Sequence, residues 1–208
     1  MKRKGLRPRR GDDHNSENIA GRRCEGIEVS RGICCVIIMD LSPEIFVKCV
    51  RAAQAALAKH AREPLTAPVD IECVAARFGF QVVRIHSASD AFSGLVSPKH
   101  KLIGVNGNHH SHRQRFTVAH ELGHIVLSHP PESRCTTEEI AEYNREADVC
   151  ASELLIPTQL LAPHLFESRT TATSTLSKLF DVSEEAMSLK IQNSSDFLSA
   201  ARWTPLAR

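Results

Sequence analysis

Between Ser42 and about residue 61, Ile45, Phe46, Cys49, Val50, Ala53, Ala56 and Leu57 recur every three or four positions, the spacing that lines one face of an α-helix. Ser42 supplies an N-cap, Pro43 suits the first helical position, and Pro64 ends the segment. Asp70 caps a shorter helix over 71–78, and Gly79 fits its C-terminal stop. Residues 80–85 are rich in β-branched side chains and predict a strand. Residues 91–96 and 101–105 predict two more, joined tightly through Ser97, Pro98, Lys99 and His100. Phe116, Ala119, Leu122 or Gly123, and Val126 form an apolar stripe over 115–128, which Pro130 and Pro131 stop. A further helix spans about 137–155. Beyond a Ser/Thr-rich linker at 168–175, residues 176–180, a turn at Asp181 and Val182, and a Ser183-capped helix to about 191 read as a helix-turn-helix-like pair. The predicted class is α+β, mostly helical, with a short sheet of about three strands beside the 115–128 helix.

Composition narrows this to one domain with a small appendage, since 208 residues with 42% apolar content can build one core. The net charge of +2 is uneven: residues 1–32 carry net +4, leaving −2 for residues 33–208. The folded part is therefore not a basic nucleic-acid platform. Residues 1–38 read as a disordered basic leader, and translation from Met39 is the alternative. The apolar run at 33–39 is too short to span a bilayer. Seven cysteines, an odd number without a Cys-x-x-Cys pair, fit a reducing cytoplasm.

The candidate chemistry lies on the 115–128 helix. His120 and His124 are one turn apart and point at the same side, so both imidazoles can reach one ion, and Glu121 beside them can act as general base. Composition alone yields such a pattern in roughly one chain in twenty, so the helical setting carries much of its weight. Gly123 costs about 1 kcal/mol relative to Ala, which makes sense if another backbone approaches there. A third ligand must come from elsewhere. His129 is nearest, but the extended motif wants Gly and His where Leu127 and Pro130 stand. The next helix offers Glu146, on a line with Tyr143, Cys150 and Glu153.

The run from Arg113 to His124, followed by Arg145-Glu146-Ala147-Asp148 and on to Pro157, resembles the ImmA/IrrE family of bacterial and phage metallopeptidases. The resemblance covers roughly residues 69–157 and implies a small zincin-like metallopeptidase domain at 39–166, followed by a C-terminal linker and helical segment at 167–208. It implies Glu146 as third ligand, with Glu142 one turn earlier as the alternative, and Zn²⁺ as the ion. A two-His, one-carboxylate set also accepts Mn²⁺ or Fe²⁺. Glu153 is left to stabilise its own helix or face solvent. Cys150, where the family has an aromatic, is read as core packing with ligation as the alternative. Asp148 is a candidate to orient a ligand histidine. Tyr143 and the loop histidines His109, His110 and His112, with His112 foremost, are candidates to stabilise an oxyanion. As the edge strand binding substrate backbone, the sequence nominates Lys101, Leu102, Ile103, Gly104, Val105 and Asn106.

The expected function is zinc-dependent cleavage of a protein in the cytoplasm, such as a DNA-binding transcriptional repressor, which the resemblance suggests. The alternative is a metal-stabilised antirepressor that sequesters a regulator by binding alone. No membrane association is expected, and Glu184 and Glu185 in the C-terminal pair argue against direct nucleic-acid binding.

Overall fold

The computed structural model describes residues 28–31, 41–61, 64–86, 89–167 and 172–200. Ser42 caps α1 (Pro43–His60), its hydroxyl accepting from Ile45 N at 3.4 Å. Asp70 caps α2 (Ile71–Arg77) in the same way, accepting from Cys73 N at 3.0 Å. Gly79 at φ +83° then turns the chain into β2 (Gln81–Ile85). β3 (Phe92–Ser97) and β4 (Leu102–Asn106) form the expected hairpin, closed by Lys101 in the left-handed region.

The sheet has a fourth strand, β1 (Glu28–Arg31), within the stretch that the sequence assigns to the leader. The rest of 1–38 lies outside the described residues. Strand order is β1-β3-β4-β2, with β1 and β4 antiparallel to β3 and β2 parallel to β4. This corrects one expectation. Of residues 101–106, nominated as a substrate-binding edge, Leu102–Asn106 form an interior strand flanked by β2 and β3, and Lys101 stands in the turn before it. Ile103, Gly104, Val105 and Asn106 are all buried, and a strand buried on both faces shows a continuous buried run rather than alternation. No substrate strand can add to β4.

α3 (Ser111–Leu127) lies on β3 and β4, and α4 (Thr137–Leu155) packs along α3, with α1 against both helices. A reciprocal Thr136–Glu139 capping box starts α4. α5 (Thr158–Glu167), α6 (Thr173–Phe180) and α7 (Glu184–Ala200) complete the chain. Leu176, Phe180, Val182 and Met187 share one apolar core with Ile71, Ile103, Leu122 and Leu154, so the C-terminal pair packs into the main body. Asp181, left-handed at φ +53°, makes the turn between α6 and α7. Its carboxylate meets Arg115 Nε at 3.1 Å and His112 Nε2 at 3.2 Å.

Glu153 is fully buried rather than facing solvent. Its carboxylate accepts from Gln54 Nε2 (2.9 Å), Thr158 N (3.0 Å), Thr158 Oγ1 (2.7 Å) and the buried Lys190 Nζ. One side chain thus ties together α1, α4, the start of α5 and α7. Among the described residues, no single helix is long and apolar enough to cross a membrane.

Candidate metal centre

α3 presents His120 and His124 one turn apart, with their Nε2 atoms 3.1 Å apart. Two nitrogen ligands at 2.0–2.1 Å from one tetrahedral ion stand roughly 3.3 Å apart, so the pair fits a shared metal. Both Nδ1 atoms point outward and are engaged. His120 Nδ1 lies 2.7 Å from Asp148 Oδ1, and His124 Nδ1 lies 2.9 Å from His129 Nδ1. Fixing the outer nitrogen leaves the inner one able to face a shared ion, and such an outer contact is usual for a metal-binding imidazole.

Burial disfavours the charged form of His120, but the Asp148 carboxylate and Glu121 outweigh it and hold its pKa above the ordinary imidazole value. His124 is pushed down to about 2, by burial first and then by His120 and His129. It is therefore neutral at physiological pH, the state that a metal ligand needs.

Glu121 is 1% exposed and turned toward the sheet. A Cβ built on Gly94 of β3 would lie 3.3 Å from Glu121 Oε1 and 2.3 Å from Thr117 Cγ2, so this glycine lets α3 settle onto β3. Gly123 does the same toward α4: a Cβ there would meet Ala147 O at 3.0 Å and Ala147 Cα at 3.2 Å. The close backbone approach inferred from this glycine is present. Gly123→Val is expected to destabilise the fold by about 1–3 kcal/mol through overpacking. A thermal unfolding midpoint equal to wild type would contradict this.

Glu146 is brought elsewhere. Its Oε2 lies 3.4 Å from His129 Nε2, 3.4 Å from Lys48 Nζ and 3.8 Å from Cys49 Sγ. Burial, reinforced by Glu146, pushes the Cys49 thiol up to about 12. Among the described residues, no three His, Cys, Asp or Glu side chains are grouped to hold a metal. Cys150 is fully buried against Gly123, and burial raises its thiol pKa, which suits packing rather than ligation. Tyr143 stacks on His129 with ring centroids 4.6 Å apart. His112 is held at Asp181, and His110 caps α3 by accepting from His112 N, so neither is at the pair. His109 binds Asn106 and the Asp90 carbonyl.

Two further residues join this neighbourhood, His129, weighed in the sequence and set aside, and Asn144, which the motif reading missed. His129 is carried back by Ser128, which is left-handed at φ +58°; Ser128 N and His129 N donate to Ile125 O and His124 O. This is a Schellman-type reversal, and the polar residue before a Pro-Pro stop was its available signal. Ser128→Gly is expected to stabilise the protein by about 1 kcal/mol, because glycine adopts the left-handed conformation without strain. A denaturation midpoint at or below wild type would argue against it. The second residue is Asn144, whose side chain interacts with both His120 and His124. It stands one turn before Asp148 on α4, and that spacing was its signal.

A Mycobacterium tuberculosis transcriptional regulator has a similar fold, with TM-score 0.51 and 15% sequence identity, over 74% of this chain and 47% of that one. This chain thus spans about half the length of the regulator. No curated protein matches. The model of the IrrE N-terminal-like domain, Peptidase_M78, matches residues 74–192, which takes in β2, β3 and β4, the His120–His124 helix, α4 and most of the docked C-terminal pair. With more than half of its length matched, the chain belongs to the IrrE N-terminal-like family that the two sequence segments resembled.

Proposed function

We propose that this protein is a zinc-dependent endopeptidase whose substrate is another protein, in particular a DNA-binding repressor whose cleavage relieves repression. One observation carries the reading: His120 and His124 converge at 3.1 Å, each fixed at its outer nitrogen, with buried Glu121 adjoining them on the same helix. His120 and His124 would hold the ion, with a third donor from α4, for which the family resemblance nominates Glu146. When bound, a divalent ion there acidifies a water and polarises a peptide carbonyl. Mn²⁺ and Fe²⁺ suit the same donors as Zn²⁺.

Glu121 takes the proton of the attacking water and returns it to the departing amine. Asp148 keeps the His120 ring in place during this exchange. The family match and the fold shared with a transcriptional regulator support a regulatory setting, and a cytoplasmic location agrees with the free cysteines among the described residues.

A second reading, a sequestering antirepressor, draws on the lack of a convergent His, Cys, Asp and Glu trio among the described residues. Elemental analysis of purified protein, paired with a cleavage assay on repressors encoded beside the gene, separates the two. One zinc per chain with cleavage that chelation abolishes is expected. Zinc with repressor binding and no cleavage would favour sequestration, and absence of metal would overturn the peptidase reading.

A further inference from the structure

We propose that the outer edge of β3 is a peptide-binding edge beside Glu121, and that residues 28–31 of this chain occupy it as an internal competitor. The proposal rests on the peptidase reading for the identity of its partner, an extended segment of a protein substrate.

The sheet has two outer strands, β1 and β2, and they stand differently to the motif. β3 meets Glu121 at Gly94, where an added Cβ would lie 3.3 Å from the carboxylate. On the outer side of Gly94 the register sets Ser30 of β1 directly opposite. Neighbouring strands lie about 4.8 Å apart, so the backbone at Ser30 runs one strand spacing from the residue that rests on Glu121. β2 is beyond β4, about two spacings from Gly94. It carries Arg84, committed to Glu72 and Gln114, and a charge on an edge strand hinders further pairing. The edge that serves Glu121 is therefore that of β3, and this chain already fills it.

Three observations mark β1 as an occupant rather than part of the frame. It is four residues long, and its register breaks between Ser30 and Arg31. Among the described elements β1 packs extensively against β3 alone, whereas β3 is also held by β4 and α3. Residues 28–31 precede the stretch 74–192 that the family model matches, so the strand lies outside the domain that the family shares. Lifting β1 away would bare a row of backbone N–H and C=O groups on β3, a template for an added strand. Main-chain pairing of this kind tolerates many sequences, and the incoming segment would run antiparallel to β3, as β1 does. Being tethered, β1 competes at high effective concentration, so substrate must displace it.

The test uses the full, zinc-loaded chain. A fluorescein-labelled synthetic peptide with the sequence of residues 26–33 probes binding; unfolded casein and the repressors encoded beside the gene probe cleavage. Val29→Pro with Ser30→Pro removes a ladder donor, since adjacent strand residues point their N–H groups to opposite sides. This open variant is expected to stay folded, to bind the peptide about tenfold tighter than wild type, and to cleave faster. Val29→Cys with Leu95→Cys locks the strand, because these positions are paired, and alternation from Gly94 puts them on the face away from α3. Oxidised, the locked variant should lose peptide binding and cleavage, and reduction by a phosphine should restore both. Equal peptide binding by wild type, open and locked forms, or binding by none, would overturn the proposal. So would an open variant that unfolds, which would make β1 part of the frame. The expected peptide results without cleavage by any form would support the edge and overturn the peptidase reading. Equal cleavage by all three would overturn the proposal and leave the peptidase reading intact.

Discussion

Glu121→Gln is expected to slow peptide cleavage by about 10²–10⁴-fold, the usual contribution of a general acid–base group, while metal content and unfolding midpoint stay at wild-type values. The isosteric amide preserves the shape of a side chain that is 1% exposed and lies close to Gly94. It cannot accept the proton of an attacking water. Single-turnover cleavage, measured beside metal content, isolates that step: a variant that cuts at the wild-type rate would remove Glu121 from the chemistry. A variant that fails to cut because it has lost its metal would show instead that the carboxylate supports the site rather than the proton transfer.

Glu153→Ala is expected to cost about 3–5 kcal/mol, because it strands the Lys190 ammonium in a buried position without its counter-charge. Lys190 is 5% exposed and Glu153 is fully buried, so water cannot readily replace the lost partner. Gln54 and the first turn of α5 lose their acceptor at the same time. For a chain of this size, each kcal/mol moves the midpoint by about 2–4 °C, which makes the fall roughly 6–20 °C. Replacing both partners, Glu153→Leu with Lys190→Met, should recover most of it, since paired removal leaves no uncompensated charge. A single variant that melts with wild type would show that the pair contributes nothing to stability.

The helices, their caps and the His120–Glu121–His124 arrangement were legible because each depends on neighbours within a few residues. Ser42, Asp70 and Ser183 cap helices as their positions suggested. Gly123 announced a close backbone contact correctly. What eluded the sequence was long-range placement. Nothing local in residues 101–106 says that β2 and β3 flank it, because strand order is decided by chain crossings far from the strand itself. The partner of Glu153 is 37 residues away on α7, beyond the reach of helical spacing. The rotation separating Glu146 from Asp148 was available from their spacing, but which of them faces α3 required the packed helices. His129 was passed over because it did not complete a known extended motif, although the chain reversal at Ser128 returns it to His124.

On the metal-centre reading, the missing side chain at Gly123 also makes metal retention a gauge of helix spacing. The two histidines belong to α3, while Asp148 and Asn144 belong to α4, and the separation of these helices is set by Ala147 resting against a bare Cα. Loosening that seam by a few tenths of an ångström would slacken the grip on both imidazole rings before the core beneath them opens. Heating the loaded protein should therefore release its ion at a lower temperature than the one at which its secondary structure is lost.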